Sequence, residues 1–166
     1  MEKALVLYDS LFGNTKTVAL SLAEGIREVG VDTSCQSIDE FNINEISGFD
    51  FVAIGSPTHI LKTSKSMKAF LQKLRAFNLE GKSGFAFDTR NESRMNKRGL
   101  FGLENSAARV IEVRMKRMKM SIIRPRESAI VQGREGPLDS GVEDTFLEIG
   151  RQIGRQISKS TQTIVH

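Results

Sequence analysis

Three short polar stretches hold the residues best placed to do chemistry, and each directly follows an apolar run. The first, Ser10-Leu11-Phe12-Gly13-Asn14-Thr15, comes after Ala4–Tyr8 and opens a helical pattern with Val18, Leu22, Ile26 and Val29 on one face. Strand, polar turn and helix in that order present free backbone N–H groups to an anion. Ser10, Asn14, Thr15 and Thr17 add side-chain donors, Gly13 lets the backbone bend and approach closely, and Lys16 is the cradle's one cation. The same residue types also make ordinary capped helix starts. The second stretch is Ser56-Pro57-Thr58-His59-Ile60, after Phe51–Gly55. The third begins Asp88-Thr89-Arg90, after Phe85–Phe87, and stays polar to about Leu103. Each stretch taken singly has a bland reading as a surface loop; three of them on one edge of a sheet make a site.

The intervening sequence supplies the elements that would place them on one edge. Strands are expected at Ala4–Tyr8, Asp32–Ile38, Phe51–Gly55 and Phe85–Phe87, with a last, interrupted strand in the fragments Ile122-Ile123 and Ala129–Val131. The run at Phe51–Gly55 is continuously apolar, the mark of a strand covered on both faces. Proline at position 57 should stop it. Helices are expected from Thr15 to Val29, around Met67, Phe70, Leu71 and Leu74, from near Glu104 with Ala108, Ile111, Met115 and Met118 inward, and from Val142 to Ser158 with Phe146, Ile149, Ile153 and Ile157 inward. Asp39–Gly48 should hold a short helical turn, and Gly133, Gly136 and Pro137 a turn before the last helix. Alternation of strand and helix predicts one parallel sheet with helices on both sides, and ligands in such folds bind beyond the carboxyl ends of the strands. With no repeat and no composition break, residues 1–166 are expected to form a single domain.

Composition narrows the function. The chain has 166 residues, 39% hydrophobic and 27% charged, as a water-soluble globular protein does. It has no apolar run long enough to span a membrane, and its first residues lack the three regions of a signal peptide, so a cytoplasmic protein is expected. Cys35 stands alone, and with two His and no evident carboxylate cluster no metal site is expected. No nucleophile–base pair points to hydrolysis. Gly81-Lys82-Ser83 ends like a phosphate-binding loop but has Ala76 where the first Gly belongs, and it follows a helix and precedes a strand, the wrong order. The formal charge is +4 and the isoelectric point about 9.4. Basic residues crowd between Asp88 and Arg126, an arrangement that attracts anionic partners by long-range field or that simply makes a solvated surface.

The three stretches together resemble the flavodoxin family, and the likeness runs over essentially the whole chain. Ser10–Thr15 is similar to the family's FMN-phosphate loop, Gly55-Ser56-Pro57-Thr58 to its second flavin loop, and Phe85–Arg90 stands in the place of the third; Gly136-Pro137-Leu138 before the last helix also matches. The resemblance implies an α/β flavodoxin-like three-layer sandwich whose five-stranded parallel sheet has the order 2-1-3-4-5. It implies a non-covalent FMN held by Ser10, Leu11, Phe12, Gly13, Asn14 and Thr15 at the phosphate. Backbone groups of Thr58, His59, Ile60, Asp88, Thr89 and Arg90 would meet the ring, with Ser56 and Pro57 shaping the second loop. His59 sits where members often carry an aromatic, and Phe101-Gly102 could replace the family's aromatic-Gly or serve as a hydrophobic staple for the next helix. The implied function is electron transfer between protein partners, with no catalytic residue of the chain's own and, given its basic charge, an acidic redox partner rather than nucleic acid or membrane. A reductase of a small substrate such as a quinone, and a binding module without flavin, are the other readings.

Overall fold

The computed structural model describes residues 1–59, 62–91 and 106–162. The strands are β1 (Lys3–Tyr8), β2 (Asp32–Ser37), β3 (Phe51–His59), β4 (Lys62–Thr63), β5 (Ser83–Asn91), β6 (Ser121–Ile122) and β7 (Glu127–Val131). The α-helices are α1 (Asn14–Glu28), α2 (Lys65–Leu74), α3 (Ala107–Arg117) and α4 (Val142–Gln162), with a 3-10 turn at Ile43–Gly48. The sheet runs β2-β1-β3-β5-β6, and β7 also pairs with β5. The order is the expected 2-1-3-4-5, with the fifth position shared by two fragments. β6 pairs with the start of β5 (Ser83↔Ser121) and β7 with its end (Phe87↔Glu127 to Asn91↔Val131), all parallel. β4 is a short antiparallel addition to the end of β3.

Strand periodicity sorts the core into two layers. Ala4, Val6, Tyr8, Phe51, Ala53, Phe85 and Phe87 face α1 and α4. Leu5, Leu7, Val52, Ile54 and Ala86 face α2 and α3. On the first face two helices approach backbone to backbone: a Cβ built at Gly25 would lie 2.0 Å from the Leu147 carbonyl oxygen, and one at Gly150 would lie 2.2 Å from that of Leu22. On the second face the space is filled by Met67, Phe70, Leu71, Leu74, Ile111 and Met115. Cys35 packs half-buried in β2, and burial pushes its thiol up to about 11, so it stays protonated and inert at neutral pH.

Two strands run further than the sequence suggests. β3 passes through Pro57 to His59 instead of stopping. β1 ends its pairing with β3 at Gly55, so one flank of β3 is open where the proline lacks its N–H. β5 continues through Asp88, Thr89 and Arg90, which the sequence places in a loop. These residues pair with β7 on one side, and Asp88 and Thr89 pair with β3 on the other, so they lie inside the sheet and are buried.

Candidate functional site

The carboxyl ends of β1, β3, β5 and β7 surround a cavity of about 580 Å³. The first loop contributes Ser10, Leu11, Phe12, Asn14 and Thr15; β3 contributes Pro57 and Thr58; β5 contributes Thr89, Arg90 and Asn91. Members of all three predicted stretches thus meet at one opening. Gly13, Ser56 and Asp88 are not among the residues that line it. The backbone of His59 closes β3. Ile60 and Phe101 lie outside the described residues.

The start of α1 differs from the starts of α2 and α3. Ser64 caps α2 by accepting from the Met67 amide, and Ser106 caps α3 by accepting from the Arg109 amide. The first turn of α1 has no side-chain cap. Gly13 precedes it with φ of 92°, a left-handed value that turns the chain so that the helix begins at the cavity. The Thr17 amide already bonds back to the Gly13 carbonyl, whereas the amides of Asn14, Thr15 and Lys16 have no backbone acceptor among the described residues. These donors carry the positive end of the helix dipole.

The side chains of this loop are mostly engaged with the protein. The Ser10 hydroxyl accepts from the Gly13 amide at 3.1 Å, which leaves its own proton to donate. Thr15 and Thr89 share a buried hydroxyl–hydroxyl bond of 2.8 Å, so one proton of the pair remains for a further acceptor. Thr17 turns back on its own helix and bonds the Gly13 carbonyl. Asn14 donates to the Glu135 carbonyl at 3.0 Å, tying the first loop to the turn before α4. Glycine is needed at 136 for that contact, since a Cβ there would stand 2.7 Å from the Asn14 side chain. Gly133 and Arg134 of this turn also line the cavity. Sequence reasoning marked the turn as punctuation and did not assign it to the site; its Gly and Pro content was the available signal.

Behind the second and third stretches lies a buried polar relay. The Ala107 amide donates to the Thr58 hydroxyl at 2.8 Å, and that hydroxyl donates to Asp88 Oδ2 at 2.6 Å. The Ala108 amide reaches the same carboxyl oxygen at 3.3 Å. The end of β3, the end of β5 and the start of α3 are therefore one unit. Among the described residues Oδ1 has no hydrogen-bond partner. Burial pushes the Asp88 carboxyl above its ordinary range, against the pull of Ser128, Thr58, Arg90 and the Ala108 amide.

At the cavity mouth Leu11 and Phe12 are exposed, 66% and 40%, large apolar side chains left in water next to the loop. This arrangement can hold an anion on amides with a flat body between strand ends.

The chain is similar to known proteins over most of its length. The model of the flavodoxin domain matches residues 5–134. The chain belongs to the flavodoxin family. A flavodoxin of Clostridium saccharobutylicum is 32% identical over 54% of this chain and 56% of its own length. An NAD(P)H dehydrogenase (quinone) of Cupriavidus metallidurans is 27% identical over 52% of this chain and 56% of its own. The chain thus spans little more than half the length of these curated relatives. The solved structure of a flavodoxin from the domain Archaea superposes with a TM-score of 0.76 and 26% identity, covering 94% of this chain and 99% of that one. No helix among the described residues is long and apolar enough to cross a membrane.

Proposed function

We propose that the cavity binds FMN and that the chain carries electrons between protein partners. The observation that supports this most is the uncapped start of α1, whose free amides face a cavity bounded by four strand ends and the turn at Gly133. A phosphate fits these donors, and the Ser10 and Thr15 hydroxyls add one proton each. Pro57, Thr58, Thr89 and Arg90 would hold the ring system. When bound, the flavin supplies one- and two-electron chemistry, and the chain's residues position it and set its electrical surroundings. The exposed Leu11 and Phe12 offer a partner an apolar contact beside the loop, and the basic charge favours an acidic partner.

Titration of the purified protein with FMN and with riboflavin, followed by absorption, tests the reading. FMN should bind much more tightly than riboflavin. Thr15→Ala should weaken FMN by roughly 1.5–3 kcal/mol, one charge-assisted hydrogen bond, with the fold intact. Equal affinity for the two flavins would sink the phosphate assignment. The relatives named as NAD(P)H dehydrogenases (quinone) favour a second reading, reduction of a small quinone. Steady turnover of NAD(P)H with a quinone by the isolated protein would select it.

A further inference from the structure

A second cavity, of about 380 Å³, lies at the other edge of the sheet, between the carboxyl ends of α2 and α3 and the turn leading into β5. β5 separates it from the first cavity by on the order of 25 Å, nine strand residues. Four cations line it: Arg75 from the end of α2, Arg114 and Arg117 from the last turn of α3, and Lys119. Among the described residues its one acidic side chain is Glu80, paired with Lys119 at 3.3 Å. Its floor is apolar: Leu71, Phe77, Leu79 and Met118.

Cations at helix ends are ordinarily accounted for by the helix dipole. Two observations go beyond that. Lys116, on the same turn, is taken up by Glu112 at 3.0 Å, while Arg114 and Arg117 make no ion pair among the described residues. Lys119 holds φ of 59°, a left-handed position at a helix end that glycine fills at less cost. In that conformation its carbonyl accepts from the Gly81 amide and its ammonium meets Glu80, so the wall of the cavity is fixed across two elements. Three positive charges then remain uncompensated around an apolar floor. A volume of this size suits a small ligand, and arginine forks match phosphate oxygens two at a time.

We propose that this cavity is a second binding site, for an organic phosphate of the nucleoside diphosphate class. Its phosphates meet Arg75, Arg114 and Arg117, the three cations left unpaired by Glu80, and its base lies on the Phe77–Met118 floor. The site does not depend on what fills the first cavity.

Calorimetric titration of the whole chain at low ionic strength, with and without excess FMN, tests it using ADP, inorganic pyrophosphate and adenosine. ADP should bind saturably, one per chain, in both conditions; pyrophosphate should bind more weakly and adenosine not at all. Arg114→Ala/Arg117→Ala should weaken ADP at least tenfold, and the control pair Lys65→Ala/Lys68→Ala should leave it unchanged. Lys119→Gly, which relieves the left-handed conformation and so keeps the fold, should also weaken ADP. No saturable ADP binding, displacement of ADP by FMN, pyrophosphate binding as tightly as ADP, or equal losses in the arginine and control pairs would each overturn the proposal.

Discussion

On one face of the sheet α1 and α4 touch at Gly25 and Gly150, with Gly154 against Val29. On the other, α2 and α3 stand off behind leucine and methionine side chains, and α3 is held by a few buried polar bonds. One face is fixed by shape, the other by flexible filling and titratable latches. The difference follows the cavities. The shape-fixed face carries the start of α1 and the turn before α4, where the proposed anion cradle needs constant geometry. The latched face carries the open groove between α2 and α3.

The largest effect should come from breaking the shape-fixed face. Gly150→Val would drive a side chain into the Leu22 carbonyl, and a loss of about 3 kcal/mol or more is expected, seen as a large fall in the denaturant midpoint. A loss under about 1 kcal/mol would mean that the two helices slide apart freely.

Next comes the latch. Asp88→Ala leaves the Thr58 hydroxyl and the Ala108 amide without their acceptor and should cost about 1–3 kcal/mol. The pH profile sharpens the contrast between faces. The folded chain holds the Asp88 proton more tightly than the unfolded chain does, so its contribution is full below the ordinary value of 3.8 and is lost as pH rises through the raised one. Glu112 behaves oppositely. Its burial pushes upward, but bonds from Lys116 and the Arg126 amide, with both their charges, hold it below 4.5, so its contribution is full above that value and is lost as pH falls through the lowered one. Thermal midpoints across the acid to neutral range should show Asp88→Asn flattening the loss on the alkaline side and Glu112→Gln the loss on the acid side. If either variant tracks the parent, that latch is not titrating.

Smaller effects complete the series. Met115→Leu, on the adjustable face, should change stability by less than about 1.5 kcal/mol, because a flexible side chain is exchanged for one of similar volume. Arg151→Ala removes surface pairs with Glu28 and Glu148 on the shape-fixed face; the loss should be the smallest of the series and shrink with added salt. A larger loss would show that charge as well as shape joins α1 to α4.

Much of this architecture was legible in the sequence because apolar periodicity carries it. The strand runs, the inward faces of α1 and α4 and the interrupted last strand are all patterns of burial. Ser10, Asn14 and Thr15 stood out because hydroxyl and amide residues between a strand and a helix are donors placed at a helix start, and the structure brings them to the cavity wall. Polar residues inside the sheet were not. Asp88 and Thr58 read as loop residues, since nothing local shows that the amide end of a distant helix will supply their hydrogen bonds. The Gly133–Gly136 turn was missed as part of the site for the same reason: its link to Asn14 spans most of the chain.

The divided last strand has a consequence for how copies of this protein meet each other. A sheet edge with a long row of unpaired backbone groups is a template on which another chain can build. Here that edge is cut into lengths of two and five residues, with Arg124, Pro125 and Arg126 between them. The opposite edge is β2, Asp-Thr-Ser-Cys-Gln-Ser, short and polar. Neither border offers a neighbour a flat apolar strand to lie along, so crowded folded molecules have no ready seam at these two edges for joining sheet to sheet.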